Sequence, residues 1–435
     1  MARQVHGSPR VEKVCDTNML KTPRRIFDTV RGKLRSSPAM QACPARADLR
    51  RLEDHLSIPT AGESADDVAC DAAIARGQFL ARQDRWEELS HALQAADSTR
   101  EKTPGGTPVA DLLAYGARAD VVRASEQGIA EGLPANSAPL IGGILSFERI
   151  REGHRTDPMI ALVIALAHID IAWAWRGNGW DTILPPLNRA RSSAHFDRAA
   201  DLLAPHHAAA DHSPILAAAR CALHSGRRLP SAGLADAYEK LIDLDPENPR
   251  PMRSLGSHML PQWFGNHARL ELEARRTAAR TQASWGAGGY TWVCFDAIAQ
   301  DDGACAQVDV DYFTDGLQDI VRRRPDQLTI NRLAAYCAVT LRAGMGLDEK
   351  ADLARARICD AARWLIREHV SVLHPLIWAH AAEGFDNNLV VTSPRRFAAR
   401  GRADAIQAIA EQFREEIREG FRVTFTEDGP QFDPT

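Results

Sequence analysis

Two stretches decide the fold: His195–Pro205, reading HFDRAADLLAP, and Tyr238–Pro246, reading YEKLIDLDP. In each, an aromatic residue is followed three positions on by a small or aliphatic one, Phe196 by Ala199 and Tyr238 by Leu241. Leu202 and Leu203 extend the first face, Leu244 extends the second, and the units close at Pro205 and Pro246. Residues three and four apart lie on one face of a helix, and a proline inside a helix removes a hydrogen bond and clashes with the preceding turn. The pattern therefore describes a helix that buries one stripe, stops, and recurs 41 residues later. Units of this kind stack as helical hairpins, each covering its neighbour's apolar face, and their pattern encodes packing rather than chemistry.

Working outward, Ser64 followed by Asp66 and Asp67 predicts a helix start, with acids placed well against the helix dipole. Val68, Ala72, Ile74, Ala75, Phe79 and Leu80 then populate one broad face, and Trp86, Leu89 and Leu93 mark a second helix too close in sequence to be anything but antiparallel. Asp157-Pro158 predicts another start, a side-chain acceptor followed by a residue whose missing N–H costs nothing at that position. Met159–Trp175 is apolar nearly all round and reads as a buried central helix, ending at Arg176-Gly177-Asn178-Gly179-Trp180. Ser213-Pro214 opens the helix between the two units, and Gly226 is expected to close it.

Beyond Pro261, helical segments continue to about residue 419. Phe421–Thr426 alternates in β-branched and aromatic residues, which predicts one short strand or extended tail and no true sheet. The expected fold is all-α, a helical-hairpin solenoid. It divides into a basic arm (1–60), N-terminal hairpins (61–155), central repeats (156–300) and a C-terminal helical region (301–435). Pro9, Pro23, Pro38 and Pro44 break the arm, so it is expected to be flexible.

A net charge of −4 and a pI near 6.4 supply no global basic field, which argues against nucleic acid and anionic membranes as partners. Six lysines stand against 47 arginines, a bias that promotes no single arginine to a site. The eight cysteines are scattered without C-x-x-C spacing, as buried small hydrophobes of a reducing compartment would be. The longest apolar run is interrupted by His168 and Asp170 and falls short of the ~20 residues of a membrane span. Residues 1–10 lack the apolar core of a secretory signal, so a cytoplasmic protein is expected.

The region 157–292 resembles an uncharacterised bacterial family of tetratricopeptide-like helical domains. The residues carrying the resemblance are the Trp175–Trp180 helix end, the Phe196 helix to Pro205, Leu244-Asp245-Pro246, and Leu260-Pro261-Gln262-Trp263-Phe264-Gly265-Asn266. In that family the last element reads Arg, then Trp-Gly-Gly; Gln262 and Phe264 depart from it. The resemblance implies a tetratricopeptide-like repeat fold of unknown function and brings no catalytic residues.

Candidate chemistry is sparse. His207, Asp211 and His212 are the strongest metal-like group, because His207 and Asp211 at i, i+4 share a helix face; they would suit a metal-dependent hydrolase or transferase. The group sits in an Ala-rich link, however, and a solvated turn is the simpler reading. Asp309, Asp311 and Asp315-Gly316 lack calcium-loop spacing, and Gly286-Ala287-Gly288-Gly289 lacks the Lys-Ser/Thr of a phosphate loop and reads as a bend beside Trp285 and Trp292. Neither a metal nor a cofactor is expected. Trp180 and Trp263, beside Asn178 and Asn266, could line a peptide groove of aromatic anchors and adaptable amides. The leading expectation is a protein-interaction scaffold with a protein partner.

Overall fold

The computed structural model describes residues 52–62, 64–177, 184–227, 231–263, 265–346, 348–386, 391, 393–426 and 429–434. These residues are mostly helical, with one small three-stranded sheet. Helix α1 (Ala65–Arg82) starts where Ser64 predicts. The Ser64 hydroxyl accepts the Asp67 N–H at 3.1 Å and the Asp67 carboxylate accepts the Ser64 N–H at 2.9 Å, a reciprocal cap. Helix α2 (Trp86–Thr99) turns Leu89, Leu93 and Ala96 inward, and α3 (Val109–Ala130) packs along α1. Those last two helices cross at facing glycines. A Cβ on Gly77 would stand 2.1 Å from the Leu113 carbonyl oxygen, and one on Gly116 2.0 Å from that of Ile74.

After α4 (Ala138–Gly153), the Asp157 carboxylate accepts from the Met159 and Ile160 N–H groups at 2.8 and 3.0 Å and starts α5 (Pro158–Arg176). Helices α3, α4, α6 (Pro186–Leu203) and α7 (Pro214–Arg227) surround α5. It is the one described helix long and apolar enough to cross a membrane, and 83% of that window is buried inside the protein.

The first repeat unit buries Phe196, Ala199, Leu202 and Leu203 as its spacing requires. Its stop differs from the expectation. The chain passes through Pro205 in a 3-10 turn (Ala204–His206) and adds one α-turn (His207–Ala210), because a proline entering a new turn forfeits no needed N–H. Gly226 stands at the end of α7, one residue before Arg227, as expected, and a Cβ there would stand 2.1 Å from a Phe196 ring carbon, so the missing side chain also makes room for that ring. The second unit matches: α8 (Ser231–Leu244) buries Tyr238 and Leu241 and ends immediately before Asp245-Pro246.

Helix α9 (Pro249–His258) packs on α8 and crosses α11 (Gly288–Gln300) in direct backbone contact; a Cβ on Gly256 would stand 1.7 Å from the Val293 carbonyl oxygen. Helices α10 (His267–Arg280) and α12 (Val310–Arg323) also pack on α11. Gly286, at φ 58°, makes the expected bend, with Trp285 edge-on to Trp292 at 5.8 Å between ring centres. Next come α13 (Gln327–Ala335), α14 (Glu349–Cys359), α15 (Pro375–Glu383) and α16 (Pro394–Gln412). Asn331 holds this region together. Its Nδ2 donates to the carbonyls of Gln327 and Val372 at 2.8 Å each, and its Oδ1 accepts from the His374 N–H at 3.1 Å and the Trp378 indole at 2.9 Å.

The sheet corrects two expectations. Its strands are β1 (Leu56–Ser57), β2 (Phe421–Thr426) and β3 (Gly429–Pro434), in that order, β1 parallel to β2 and β3 antiparallel. The strand at 421–426 is as expected, but it is the centre of a sheet, since Val423 and Phe425 bury against the body, Phe425 edge-on to Phe413. Residues 52–60, assigned above to the flexible arm, belong to the folded body. Leu56 pairs with Val423, the Leu373 N–H donates to the Pro59 carbonyl at 2.8 Å, and Glu53 pairs with Arg402. The remainder of the arm, 1–51, lies outside the described residues.

Candidate functional site

Of the residues the sequence proposed as a groove, Asn178 and Trp180 lie outside the described residues. Trp263 is half-buried with its ring edge-on to His258 at 5.2 Å, and Asn266 caps α10, accepting the Arg269 N–H at 2.8 Å. Both are occupied in packing and capping. In the metal-like group, His207 is exposed with Nδ1 3.1 Å from the Ala204 carbonyl oxygen, and Asp211 and His212 are also exposed. Among the described residues no three His, Cys, Asp or Glu side chains converge in a way that could hold a metal ion.

Three other places carry polar or apolar groups not spent on the fold. The first joins α4, α5 and α6. Arg198 binds Glu148 through two nitrogens at 2.7 and 2.6 Å, His168 Nε2 lies 3.2 Å from Glu148 Oε1, and His168 Nδ1 lies 2.8 Å from His195 Nδ1. Arg198 first, then His168, holds the Glu148 carboxyl down at about 2, so the carboxylate is anionic and His168 Nε2–H donates to it. His168 Nδ1 then accepts from His195 Nδ1–H, which leaves the His195 Nε2 lone pair free, with no partner among the described residues. Burial first, then the adjacent His168 ring, pushes the His195 imidazole down to about 4.

The second place is the outer face of α1. Val68, Ala72, Ala75 and Phe79 all lie exposed, Val68 at 53% and Phe79 at 52%. Their spacing of four, three and four is that of a coiled-coil seam. Phe79 also borders a surface groove of about 550 Å³ between α1 and α2, lined by Arg76, Leu80, Arg85, Glu88, His91, Ala92 and Ala95. Arg85 is tied to Glu88, whereas Arg76 has no hydrogen bond or ion pair among the described residues.

The third is a small cavity between the end of α2, the start of α3, and α7 to α9. Pro108, Ala110, Ile215, Ala218, Leu241 and Pro251 form its apolar wall, and Asp97, Asp111, Asp245, Asn248 and Arg250 its polar wall. Asp97 accepts the Ile215 N–H at 3.0 Å, so it caps α7 from far away in the chain, and Lys102 Nζ sits 2.6 Å from Asp245.

No family model, no curated protein and no solved structure matches this chain.

Sequence reasoning missed all three places for the same reason. Glu148, His168 and His195 are 20 and 27 residues apart, and the cavity's acids come from helices far apart in the chain. The sequence grouped Val68, Ala72, Ala75 and Phe79 with Ile74 and Leu80 on one broad face, and the structure splits that face: Leu80 is buried, whereas the other four lie exposed.

Proposed function

We propose that the chain is a tetratricopeptide-like solenoid that serves as a protein-interaction scaffold in the cytoplasm, and that α1 presents its docking face. Along the chain, helices pack on their next and next-but-one neighbours, as α1 on α3, α3 on α5 and α5 on α7; stacked hairpins pack in this way. The observation that carries the docking reading is the exposed seam Val68, Ala72, Ala75 and Phe79 on a helix whose opposite side is already buried against α3. Apolar rows at heptad spacing are met by another helix with the same spacing. The occupant is therefore an amphipathic helix of a partner protein. Arg76 and His91 flank the row, which favours a partner whose apolar stripe is edged by carboxylates.

A photo-crosslinkable residue in place of Ala72, expressed in the native cell, tests this. The expected result is a crosslink to a partner segment with apolar residues at heptad spacing and acidic flanks. The crosslink should be lost in Val68→Glu with Phe79→Glu while the melting temperature is kept. A crosslinked segment without apolar periodicity, or a crosslink that survives the double substitution, overturns the reading.

A further inference from the structure

Helix α6 carries an imidazole at the open end of a chain of three groups. Glu148 on α4, His168 on α5 and His195 on α6 stand in line: His168 Nε2 lies 3.2 Å from Glu148 Oε1, and His168 Nδ1 lies 2.8 Å from His195 Nδ1. Arg198 fixes the far end, its two nitrogens 2.7 and 2.6 Å from the Glu148 oxygens. The carboxylate therefore sets the tautomer of both rings. His168 donates from Nε2 and accepts at Nδ1, His195 donates from Nδ1, and the lone pair of His195 is left on Nε2. That atom has no hydrogen-bond partner among the described residues, and solvent reaches it because the His195 ring is only half-buried.

A nucleophile backed by a base that a third group orients is the arrangement that activates side chains for covalent attack. Here the backing also answers a charge. An imidazole that forms a bond through Nε2 becomes positive, and its Nδ1 proton then has a waiting acceptor in His168, beside the Glu148 carboxylate.

The same helix face selects the electrophile. Arg191 and Arg198 lie four residues before and three residues after His195, so all three side chains share one stripe of α6. Arg198 is paired with Glu148, whereas Arg191 has no carboxylate partner among the described residues; its guanidinium lies 4.3 Å from the Trp175 ring centre. A guanidinium without an anion, one turn from a nucleophilic nitrogen, favours an electrophile that carries negative oxygens, and its planar fork of N–H groups matches a phosphoryl group.

We infer that His195 is a phosphoryl-acceptor site for a small phosphoramidate or acyl phosphate. Nε2 attacks phosphorus, the N–P bond forms as the donor's bond to its leaving group breaks, the leaving group departs with that electron pair, and the Nδ1 proton passes to His168. Arg191 faces the phosphoryl oxygens, and Glu148 and His168 are positioning residues. This inference stands independently of the α1 docking face.

The test is incubation of the full chain at pH 7.5 with phosphoramidate, whose protonated nitrogen leaves as ammonia, with mass spectrometry in alkaline buffer to follow each histidine. The exposed His91, His207 and His212 are controls within the same molecule. The expected result is phosphorylation of His195 at an initial rate roughly tenfold or more above each of these. Glu148→Gln, which keeps the shape and removes the charge, should bring His195 down to the rate of the controls and leave the controls unchanged. Arg191→Gln should slow His195 and Arg191→Lys should restore it. Melting curves of the variants check that they fold. A His195 rate no higher than those of the exposed histidines, transfer to His195 of anything other than a phosphoryl group, or a rate unchanged in folded Glu148→Gln and Arg191→Gln overturns the inference.

Discussion

His168 Nδ1 and His195 Nδ1 lie 2.8 Å apart, so the two imidazoles share a single proton between them. That relationship fixes the sign of a pH effect. His195 has its folded pKa pushed down to about 4 by burial and the adjacent His168, below the 6.5 of an unhindered histidine. Between about 6.5 and about 4 the unfolded chain takes up a proton that folded His195 refuses, so this residue's contribution makes stability fall as pH falls through that window. The buried His258 imidazole is likewise pushed down to about 4 and adds to the same loss. Histidine ring NMR should show His195 titrating near 4, and urea melts should give a lower midpoint at pH 4.5 than at pH 7. A His195 ring that titrates at 6.5 or above would mean the pair does not share its proton as described.

Tyr238→Ala should destabilise the protein by roughly 3 to 5 kcal/mol, as other truncations of buried aromatics do. Tyr238 is fully buried, and its hydroxyl lies 3.0 Å from His258 Nδ1. Tyr238→Phe, which keeps the ring and loses the bond, should cost about 1 kcal/mol. Chemical denaturation of both variants separates packing from hydrogen bonding; equal costs would show that the ring does not carry the contact.

Gly256→Ala should be far more damaging than its chemistry suggests, because the new Cβ would lie 1.7 Å from the Val293 carbonyl oxygen and force α9 away from α11. Overpacking of this kind costs about 3 kcal/mol or more. Gly233 in α8 is the control. A Cβ there meets nothing within 4 Å, so Gly233→Ala should stabilise by roughly 0.5 to 1 kcal/mol. Thermal melts of the pair should shift in opposite directions.

Helix starts were legible at Ser64 and Asp157-Pro158, where the residues that make the capping hydrogen bonds are adjacent in sequence; the equally local caps of Asn248, Asp309 and Asp326 were not read. Helix ends were less so. Pro205 was read as a plain stop, but it is absorbed into a tighter turn; Gly226 does mark the end of its helix, and what the sequence hid is that it also answers to the Phe196 ring of another helix. The candidate sites were hardly legible at all. Trp263 and Asn266 attracted notice as residue types that often bind, while the group left unspent, His195, depends on which neighbours the fold happens to supply.

Truncation should locate the edge of the folded body. A chain starting at residue 62 should melt at a lower temperature than one starting at residue 52, since it lacks the β1 pairing to Val423 and Thr424, the Leu373 contacts of Pro59 and Ala61, and the Glu53–Arg402 pair. Identical melting temperatures would show that these contacts add nothing to stability.

The pairing of Leu56 with Val423 also sets an order of events during synthesis. Stacked hairpins can settle on one another as they leave the ribosome, each on the one before. β1 cannot: the strand it pairs with among the described residues lies some 367 residues further along, and at 5–20 residues per second it waits roughly 20 to 70 s for that strand to appear. During that interval the short β1 edge is open, and its pairing comes after the hairpins between the two strands have been made.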